Sequence, residues 1–257
     1  MSDLAARRRT EAAKEVTIRP LTTQTEFQDA VELQKQIWGF NDIELLPVRL
    51  FVVATKVGGQ AFGAFNAEQM IGFCLAIPGL KANGKSYLHS HMLGVTQEYR
   101  DSGIGQLLKL KQREDALERS IELIEWTFDP LEIKNAYFNM ERLGAVVRRY
   151  VRNQYGTTTS HLHGGLPTDR CIAEWWIASP GVNAIVSGVG RPERVPIIER
   201  ISVPADISVI RQEDPRRARQ IQQEISNRFE EYFERGLAVV GVERSAQAGT
   251  YLFGRWE

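Results

Sequence analysis

The sequence predicts an α/β (α+β) protein with a mixed, mostly antiparallel central sheet flanked by helices. Short apolar runs typical of strands alternate along the chain with segments whose apolar residues recur at helical spacing. One strand pattern, Ser86–Val95, leads through a glycine-containing turn directly into an amphipathic helix. At 257 residues, the chain has room for one large domain or for a domain with a sizeable extension.

The elements follow from these patterns in chain order. Apolar runs and alternation predict strands, 3.6-residue spacing predicts helices, and Gly, Pro, Asn and Asp between them predict turns. Up to Ser179, the predicted strands are Val16–Leu21, Gln60–Phe65, Met70–Ile77, Ser86–Val95, Ile121–Phe128, Ala145–Arg152 and Arg170–Ile177, and the predicted helices are Thr23–Trp38, Pro47–Val57, Ile104–Arg119 and Asn135–Leu143.

The composition shifts beyond Ser179. The Gly- and Pro-containing stretches 180–183 and 188–196 predict connectors, and Pro204 makes Ile201–Ile210 a broken or edge strand. Asp214-Pro215 predicts the start of a long helix that ends at Arg235. The last predicted elements form a hairpin of Leu237–Val242 and Gly249–Trp256.

These patterns divide the chain into three predicted segments. Residues 1–15 are polar and predict a flexible tail, and residues 16–179 form the predicted core domain. Residues 180–257 form a predicted α+β extension that completes the sheet, a substrate pocket or a dimer interface.

Composition excludes several classes of function. Thirty-two basic and 32 acidic residues balance, which argues against a general nucleic-acid binder. No apolar run reaches the ~20 residues of a membrane span, and the N-terminus lacks the apolar region of a secretory signal. Cys74 and Cys171 lie in apolar strand-like runs, which predicts buried free thiols and a cytoplasmic location.

The turn at 100–105 is the most informative motif. It contains Arg100, Ser102, Gly103 and Gly105, and the helix begins at Ile104. A helix N-terminus leaves backbone N–H groups without intrahelical acceptors and carries partial positive charge, which suits a phosphate or pyrophosphate. Glycine lets the backbone approach such an anion without an intervening Cβ.

The pattern Arg-x-x-Gly-x-Gly at 100–105, between a strand and a helix, resembles the coenzyme A pyrophosphate loop of the GNAT N-acyltransferase superfamily. The predicted order of elements over roughly Val16–Ser179 is similar to that family as well. The resemblance implies a V-shaped gap in the sheet that takes the pantetheine arm of acetyl-CoA or another acyl-CoA. The residues that it implies for the cofactor are Leu93, Val95, Arg100, Ser102, Gly103, Ile104, Gly105 and Asn135.

Further strings resemble an uncharacterised branch of predicted GNAT acyltransferases: Glu125–Pro130, Tyr87–Val95 and Asp169–Trp176. Some members of that branch are thought to acylate amino acids, including with succinyl-CoA. Anchoring the family's later motif on Gly144 places Met140 where the family has a tyrosine general acid. Methionine cannot donate a proton, so either the nearby Tyr137 substitutes or the leaving thiolate is protonated by water or another group.

An amine must lose a proton to attack a thioester, which requires a base. His89 and His91 lie two residues apart on the strand before the turn, so their side chains are expected on one sheet face. Glu125 and Asp129 are alternative bases, although Asp129 before Pro130 is more typical of a capping residue. Structural, hydrogen-bonded histidines remain the alternative for His89 and His91.

The four histidines form two His-x-His pairs, at 89 and 91 and at 161 and 163. Such pairs on strands can chelate zinc, but no acidic or cysteine ligand lies at a suggestive spacing, so no metal is expected. The loop 156–168 is a predicted acceptor lid, with Arg170 or Arg148 available to hold a carboxylate. The alternative to a role in binding is that Arg148, Arg149 and Arg152 lie on a solvated strand edge.

The sequence therefore predicts an acyl-CoA-dependent N-acyltransferase. Its expected partners are an acyl-CoA and a small amine or amino acid, with neither nucleic acid nor membrane, and a homodimer is left open. Two alternatives are kept: an acyl-CoA-binding sensor without turnover, and a zinc hydrolase.

Overall fold

The computed structural model describes residues 16–156 and 166–256. They fall into two compact units that meet in sequence between Ile124 and Glu125. The predicted tail 1–15 and most of the predicted acceptor lid, with His161 and His163, lie outside the described residues. Within the described ranges, no helix is long and apolar enough to cross a membrane.

The first unit contains four consecutive antiparallel strands and the helices packed on them. The strands pair in chain order. Their bounds are β1 Val16–Pro20, β2 Gln60–Asn66, β3 Gln69–Leu80 and β4 Ser86–Val95, and the helices are α1 Gln24–Trp38, α2 Val48–Lys56 and α3 Ile104–Glu118.

Side chains on the two faces of this sheet form separate apolar clusters. Phe73 and Leu75 of β3 pack with α1 and α2 on one face. Ile71 and Cys74 pack with Ile104 and other residues on the opposite face, together with the start of α3. This unit thus has helices on both faces of its sheet, and α3 lies against the face that carries Cys74.

The start of α1 shows how the sequence specifies an element. Thr23 accepts a hydrogen bond from the backbone N–H of Glu26, and the Glu26 side chain accepts one from the Thr23 N–H. This reciprocal capping box satisfies two N–H groups that the first turn leaves without acceptors. Gly39 ends the helix in the left-handed conformation, with a φ of 66°.

The second unit holds six strands in the order β5-β7-β6-β9-β10-β8. Strand β5 begins two residues before the boundary between the units. The bounds are β5 Leu123–Phe128, β6 Val146–Val151, β7 Arg170–Trp176, β8 Glu199–Pro204, β9 Ala238–Arg244 and β10 Ala248–Gly254. The helices are α4 Ile133–Tyr137, α5 Pro180–Val186, α6 Ile207–Glu213 and α7 Pro215–Glu234.

Helix α7 carries the apolar stripe that the sequence predicts. Asp214 accepts a hydrogen bond from the Arg217 N–H at 3.0 Å, and Pro215 is the first helical residue. The stripe is core: Phe229 is fully buried and lies 5.1 Å from Tyr251 and 5.3 Å from Phe253, ring centre to ring centre.

One prediction of local structure is wrong, and two others are confirmed only in part. Residues 180–183 are not a connector but the start of α5, because Ser179 caps the helix and Pro180 occupies its first position. The predicted broken or edge strand Ile201–Ile210 does break at Pro204 and is the last strand in the order of the described sheet, but its final residues belong to α6. The predicted helix Asn135–Leu143 begins at Ile133 and continues from Phe138 to Arg142 as a π-helix.

The fold class is confirmed: the strands alternate with helices and the sheet pairing is mostly antiparallel. Both cysteines are buried free thiols, as predicted. The division into a core at 16–179 and an extension at 180–257 stays a prediction.

Candidate functional site

The turn between β4 and α3 has the geometry of an uncapped helix start. Gly103 occupies the N-cap position with a φ of 91°, and no side chain caps the helix there. The first turn of α3 holds no acidic residue. The backbone N–H groups of Ile104 and Gly105 have no intrahelical acceptor, so they are available to an anion.

Side chains beside this turn stabilise its shape. The Ser102 hydroxyl donates to the Tyr99 carbonyl at 2.5 Å, and the Arg100 guanidinium donates to the Ile37 carbonyl at 3.2 Å and the Val95 carbonyl at 3.4 Å. Arg100 is nonetheless exposed. Both side chains therefore hold the turn in place, and Arg100 adds positive charge beside it.

Strand β4 contains a β-bulge that sequence reasoning missed. Ser90 pairs with Ala76, but the next pair along β3 joins Leu75 to Met92, so His91 is an extra residue in β4. Beyond the bulge, Leu93 and Val95 pack on the face that carries Cys74. A bulge interrupts the ladder and leaves backbone groups of the bulged strand without a cross-strand partner.

His89 and His91 lie together, with ring centres 5.9 Å apart. The predicted proximity is confirmed, although the bulge at His91 interrupts the simple alternation from which it was predicted. Burial lowers the pKa of both imidazoles, that of His89 to about 4, with further lowering by the positive charges of His91, Lys109 and Lys81. Both rings are therefore neutral at neutral pH.

A buried polar cluster lies on the opposite face of β4 and was also missed. The Lys109 ammonium donates to the Ser90 hydroxyl at 2.8 Å, and that hydroxyl donates to Gln112 Oε1 at 3.0 Å. All three residues are at most 4% exposed. The sequence did contain a signal for the burial of these residues, because Lys109 and Gln112 lie at helical spacing among the apolar residues Ile104, Leu108 and Ala116.

In the second unit, Glu125 lies in a group of charges. It is buried on β5 and is ion-paired with Arg149. Arg148 is the extra residue of a second bulge, between the pairs Val147–Ala173 and Arg149–Ile172. The two consecutive arginines consequently contact the same buried carboxylate, Glu174, at 2.5 Å from Arg148 and 3.3 Å from Arg149.

The other predicted acidic and basic residues have structural partners. Asp129 accepts from the Leu131 N–H at 2.8 Å and from Arg211 at 2.7 Å. It stabilises the turn after β5 but does not cap helix α4, whose N-cap position is Glu132, so the capping interpretation of Asp129 is wrong. Arg170 is buried and donates to the Asp169 carbonyl at 2.9 Å. Arg152 is ion-paired with Glu230.

Three residues that bear on the site, in the helical segment from Ile133 to Arg142, lie in different environments. Met140 is fully buried, Asn135 is exposed, and Tyr137 is partly buried with the Arg244 guanidinium 4.0 Å above its ring. A π-helix contains one more residue per turn than an α-helix, so fixed motif spacings counted back from Gly144 change across Phe138–Arg142.

Among residues 16–156 and 166–256, no group of three or more His, Cys, Asp or Glu side chains is arranged to hold a metal ion. His89 and His91 therefore have no third ligand of these types in the described chain. The predicted second pair, His161 and His163, is outside it.

Known proteins resemble this chain in structure and not in sequence. No protein-family model matches the sequence, and no curated protein matches it. Solved structures do match. NAA60 of Arabidopsis thaliana, in complex with acetyl-CoA, matches with a TM-score of 0.51 at 14% identity over 63% of this chain and 99% of its own. The ribosomal-protein-S18-alanine N-acetyltransferase of Escherichia coli matches with a TM-score of 0.50 at 18% identity over 65% and 97%.

A predicted acetyltransferase of the GNAT family from Desulfovibrio desulfuricans matches with a TM-score of 0.50 at 13% identity, over 63% of this chain and 99% of its own. At such low identity these likenesses concern the fold alone. The fold of this chain is therefore that of the GNAT acetyltransferases, as the sequence motifs predict.

Proposed function

We propose that this protein is an acyl-CoA-dependent N-acyltransferase that transfers an acetyl or succinyl group to the amine of a small molecule. The observation that carries the proposal is the start of α3. In this chain, which has a GNAT fold, the glycine turn before α3 follows the bulged strand β4 by way of a short 3-10 turn at Gln97–Tyr99. No side chain caps α3 at Gly103, and the first turn of the helix holds no acidic residue.

In this proposal the pyrophosphate of the acyl-CoA lies at the α3 N-terminus. The N–H groups of Gly103, Ile104 and Gly105 bind it, and Arg100 contributes positive charge, while Ser102 holds the turn. Leu93 and Val95 contribute to the cofactor site from β4, and Asn135 stays a cofactor residue that only the sequence resemblance implies. The positive end of the helix dipole favours the anion further.

The proposed reaction needs no covalent enzyme intermediate. The amine nitrogen attacks the thioester carbonyl carbon, the C–N bond forms, the C–S bond breaks, and CoA leaves as a thiolate that takes up a proton. A neutral imidazole can accept the proton of the amine, and His91 is the better candidate because the pKa of His89, about 4, is far below neutral. A backbone N–H freed by the β4 bulge can stabilise the oxyanion.

We propose an acceptor that carries a carboxylate, such as an amino acid. Arg148 and Arg149 support this class because both side chains are about 40% exposed while buried glutamates orient them from beneath. Guanidinium groups held in this way are suited to bidentate contact with a carboxylate. Their pairing with Glu125 and Glu174 leaves the group electrically balanced, which suits a zwitterion better than a polyanion.

A sensor that binds acyl-CoA without turnover is the second candidate. The observation that favours it is the complete burial of Met140, the residue that the family motif, counted back from Gly144, assigns to the position of the tyrosine. A thioether cannot protonate a thiolate. Tyr137 stays the predicted substitute.

The decisive experiment begins with mass spectrometry of the ligand retained by the purified protein. It continues with thiol release from a panel of acyl-CoAs in the presence of pooled amino acids and amines. The proposal predicts retained CoA or acyl-CoA and amine-dependent thiol release. Saturable CoA binding without release would support the sensor, and no binding of any CoA species would overturn both. Turnover on peptide lysines or polyamines alone would overturn the proposed acceptor class.

A further inference from the structure

The buried cluster behind β4 lies entirely in the first unit. It joins Lys109 and Gln112 of α3 to Ser90 of β4, and the three side chains are 3%, 0% and 4% exposed. The Ser90 hydroxyl is its centre, since it accepts from Lys109 and donates to Gln112. Gln112 Nε2 is buried without a hydrogen-bond partner, so the cluster is not a fully satisfied network.

A buried lysine at this position is costly to the fold. Lysine is among the residues that are almost never fully buried without a partner, and its long side chain usually carries the ammonium to water. Here the ammonium remains buried between α3 and the sheet, where it donates a hydrogen bond to the Ser90 hydroxyl at 2.8 Å. Because a buried charge has to be compensated by its surroundings, the position of this ammonium against β4 is specific.

The cluster is connected to the bulge by one peptide bond. Ser90 is the last residue of β4 in regular register, since it pairs with Ala76, and His91 is the extra residue that follows. A hydroxyl anchored from α3 therefore holds the strand at the point where its ladder breaks.

We propose that Lys109 is a positioning residue that, through its hydrogen bond to Ser90, sets the shape of the β4 bulge and with it the ability of β4 to hold the thioester carbonyl of an acyl-CoA. The inference rests on the proposed function. It adds that the binding of the thioester carbonyl depends on a residue on the α3 face of β4, which contacts neither the acyl group nor the acceptor.

The protonation state of Lys109 determines the direction of its hydrogen bond to Ser90. Burial lowers the pKa of Lys109 to about 7. Below that pH the ammonium donates to Ser90, and above it the amine can accept the Ser90 hydrogen instead, which releases Gln112. Cys74, the titratable group whose charge acts on Lys109, does not change charge near pH 7, because burial raises its pKa to about 12. On the opposite face of β4, the pKa of His89 is about 4, and burial also lowers the pKa of His91.

The experiment compares acetyl-CoA with CoA, because only the former carries the thioester carbonyl. Calorimetry is run from pH 6 to pH 8.5 on the full chain and on Lys109→Met and Ser90→Ala. For the wild type we expect acetyl-CoA to bind more tightly than CoA at pH 6, with the preference declining as the pH rises through about 7. In both variants the preference should fall about 2- to 10-fold at pH 6, the range of one hydrogen bond, and lose its pH dependence. CoA affinity should not change.

A second measurement follows the bulge directly. With [15N]histidine labelling, the amide signal of His91 should shift with a midpoint near pH 7 in the wild type and in Ser90→Thr, which keeps a hydroxyl, but not in Lys109→Met. This readout keeps the inference testable if a variant binds ligand poorly.

The outcomes separate the two claims. An unchanged acetyl-CoA preference in both variants, or a His91 amide that does not respond near pH 7, would overturn the inference while leaving the proposed function intact. Wild-type protein that binds neither CoA nor acetyl-CoA would overturn the proposed function and the inference with it.

Discussion

Replacing Gly105 with alanine should have opposite effects on the stability of the fold and on the affinity for the cofactor. Gly105 is the second residue of α3, and a Cβ built there has its nearest heavy atom, Leu93 Cδ2, at 3.6 Å, which is ordinary van der Waals contact. Alanine therefore fits, and because it is about 1 kcal/mol better than glycine inside a helix, the variant should gain up to ~1 kcal/mol of stability.

The same methyl group should weaken the binding of CoA. A helical Cβ tilts toward the helix N-terminus, which at this position is the direction of the proposed pyrophosphate. We expect CoA affinity to fall at least ~10-fold, equivalent to about 1.4 kcal/mol. Calorimetry with CoA and thermal unfolding measure the two effects on one protein sample.

Gly181 provides a matched control. It is likewise the second residue of its helix, α5, and a Cβ there meets nothing within 4 Å. Gly181→Ala should resemble Gly105→Ala in its small effect on stability and leave CoA affinity unchanged. If Gly105→Ala is as stable as expected and binds CoA as tightly as the wild type, the pyrophosphate does not lie at this turn.

Three further predictions test individual side chains. His91→Ala should lower kcat/KM about 10²- to 10⁴-fold at pH 7, with a smaller loss at high pH where the amine is already neutral; an equal loss at every pH, or an equal effect of His89→Ala, would contradict a base role. Burial lowers the pKa of Lys109 from 10.5 to about 7, so between these values the unfolded chain binds more protons, and the free energy of unfolding of the wild type relative to Lys109→Met should rise by about 2 to 3 kcal/mol from pH 6 to pH 9. If urea denaturation gave the same difference in the free energy of unfolding between the two proteins at every pH in that range, this prediction would be refuted. Arg211→Leu removes the guanidinium that is ion-paired with the buried Asp129 carboxylate and should lower the free energy of unfolding, measured by urea denaturation, by about 3 to 5 kcal/mol. Arg216→Leu, at an exposed position of α7, should change it little.

Much of the fold could be predicted from local patterns. The bounds of β4, Ser86–Val95, and the start of α3 at Ile104 are as predicted. Helix α7 begins at Pro215 after its Asp214 cap for the reason that the sequence suggests. In each case the signal is carried by neighbouring residues: alternation, a glycine turn, or a capping residue before a proline.

Features that depend on a distant partner were missed. The bulges at His91 and Arg148 exist because β3 and β7 have one residue fewer opposite them, which no local pattern of β4 or β6 reveals. The contact of Arg148 and Arg149 with Glu174 follows from the second bulge. Helix α5 is a different case, since Ser179 before Pro180 was an available start signal.

Some residues of the candidate site could likewise be predicted from local patterns, and others could not. The turn at Gly103 and the neighbouring histidines were identified from the sequence, because their spacing and their element types are local properties. The polar cluster around Lys109 was missed, because burial of a lysine is decided by how α3 packs on the sheet. The roles of Glu125, Tyr137 and Asn135 stay predictions.

The bulge in β4 has a consequence for changes in chain length. If His91 were deleted, Ser90 and Met92 would become neighbours and would pair with Ala76 and Leu75, as they already do. Every other residue of β4 would keep its partner and its face. The sheet can therefore be built without His91, and a chain shortened by this one residue should fold. The activity of such a chain would test the chemical role proposed for His91 separately from the architecture of the sheet.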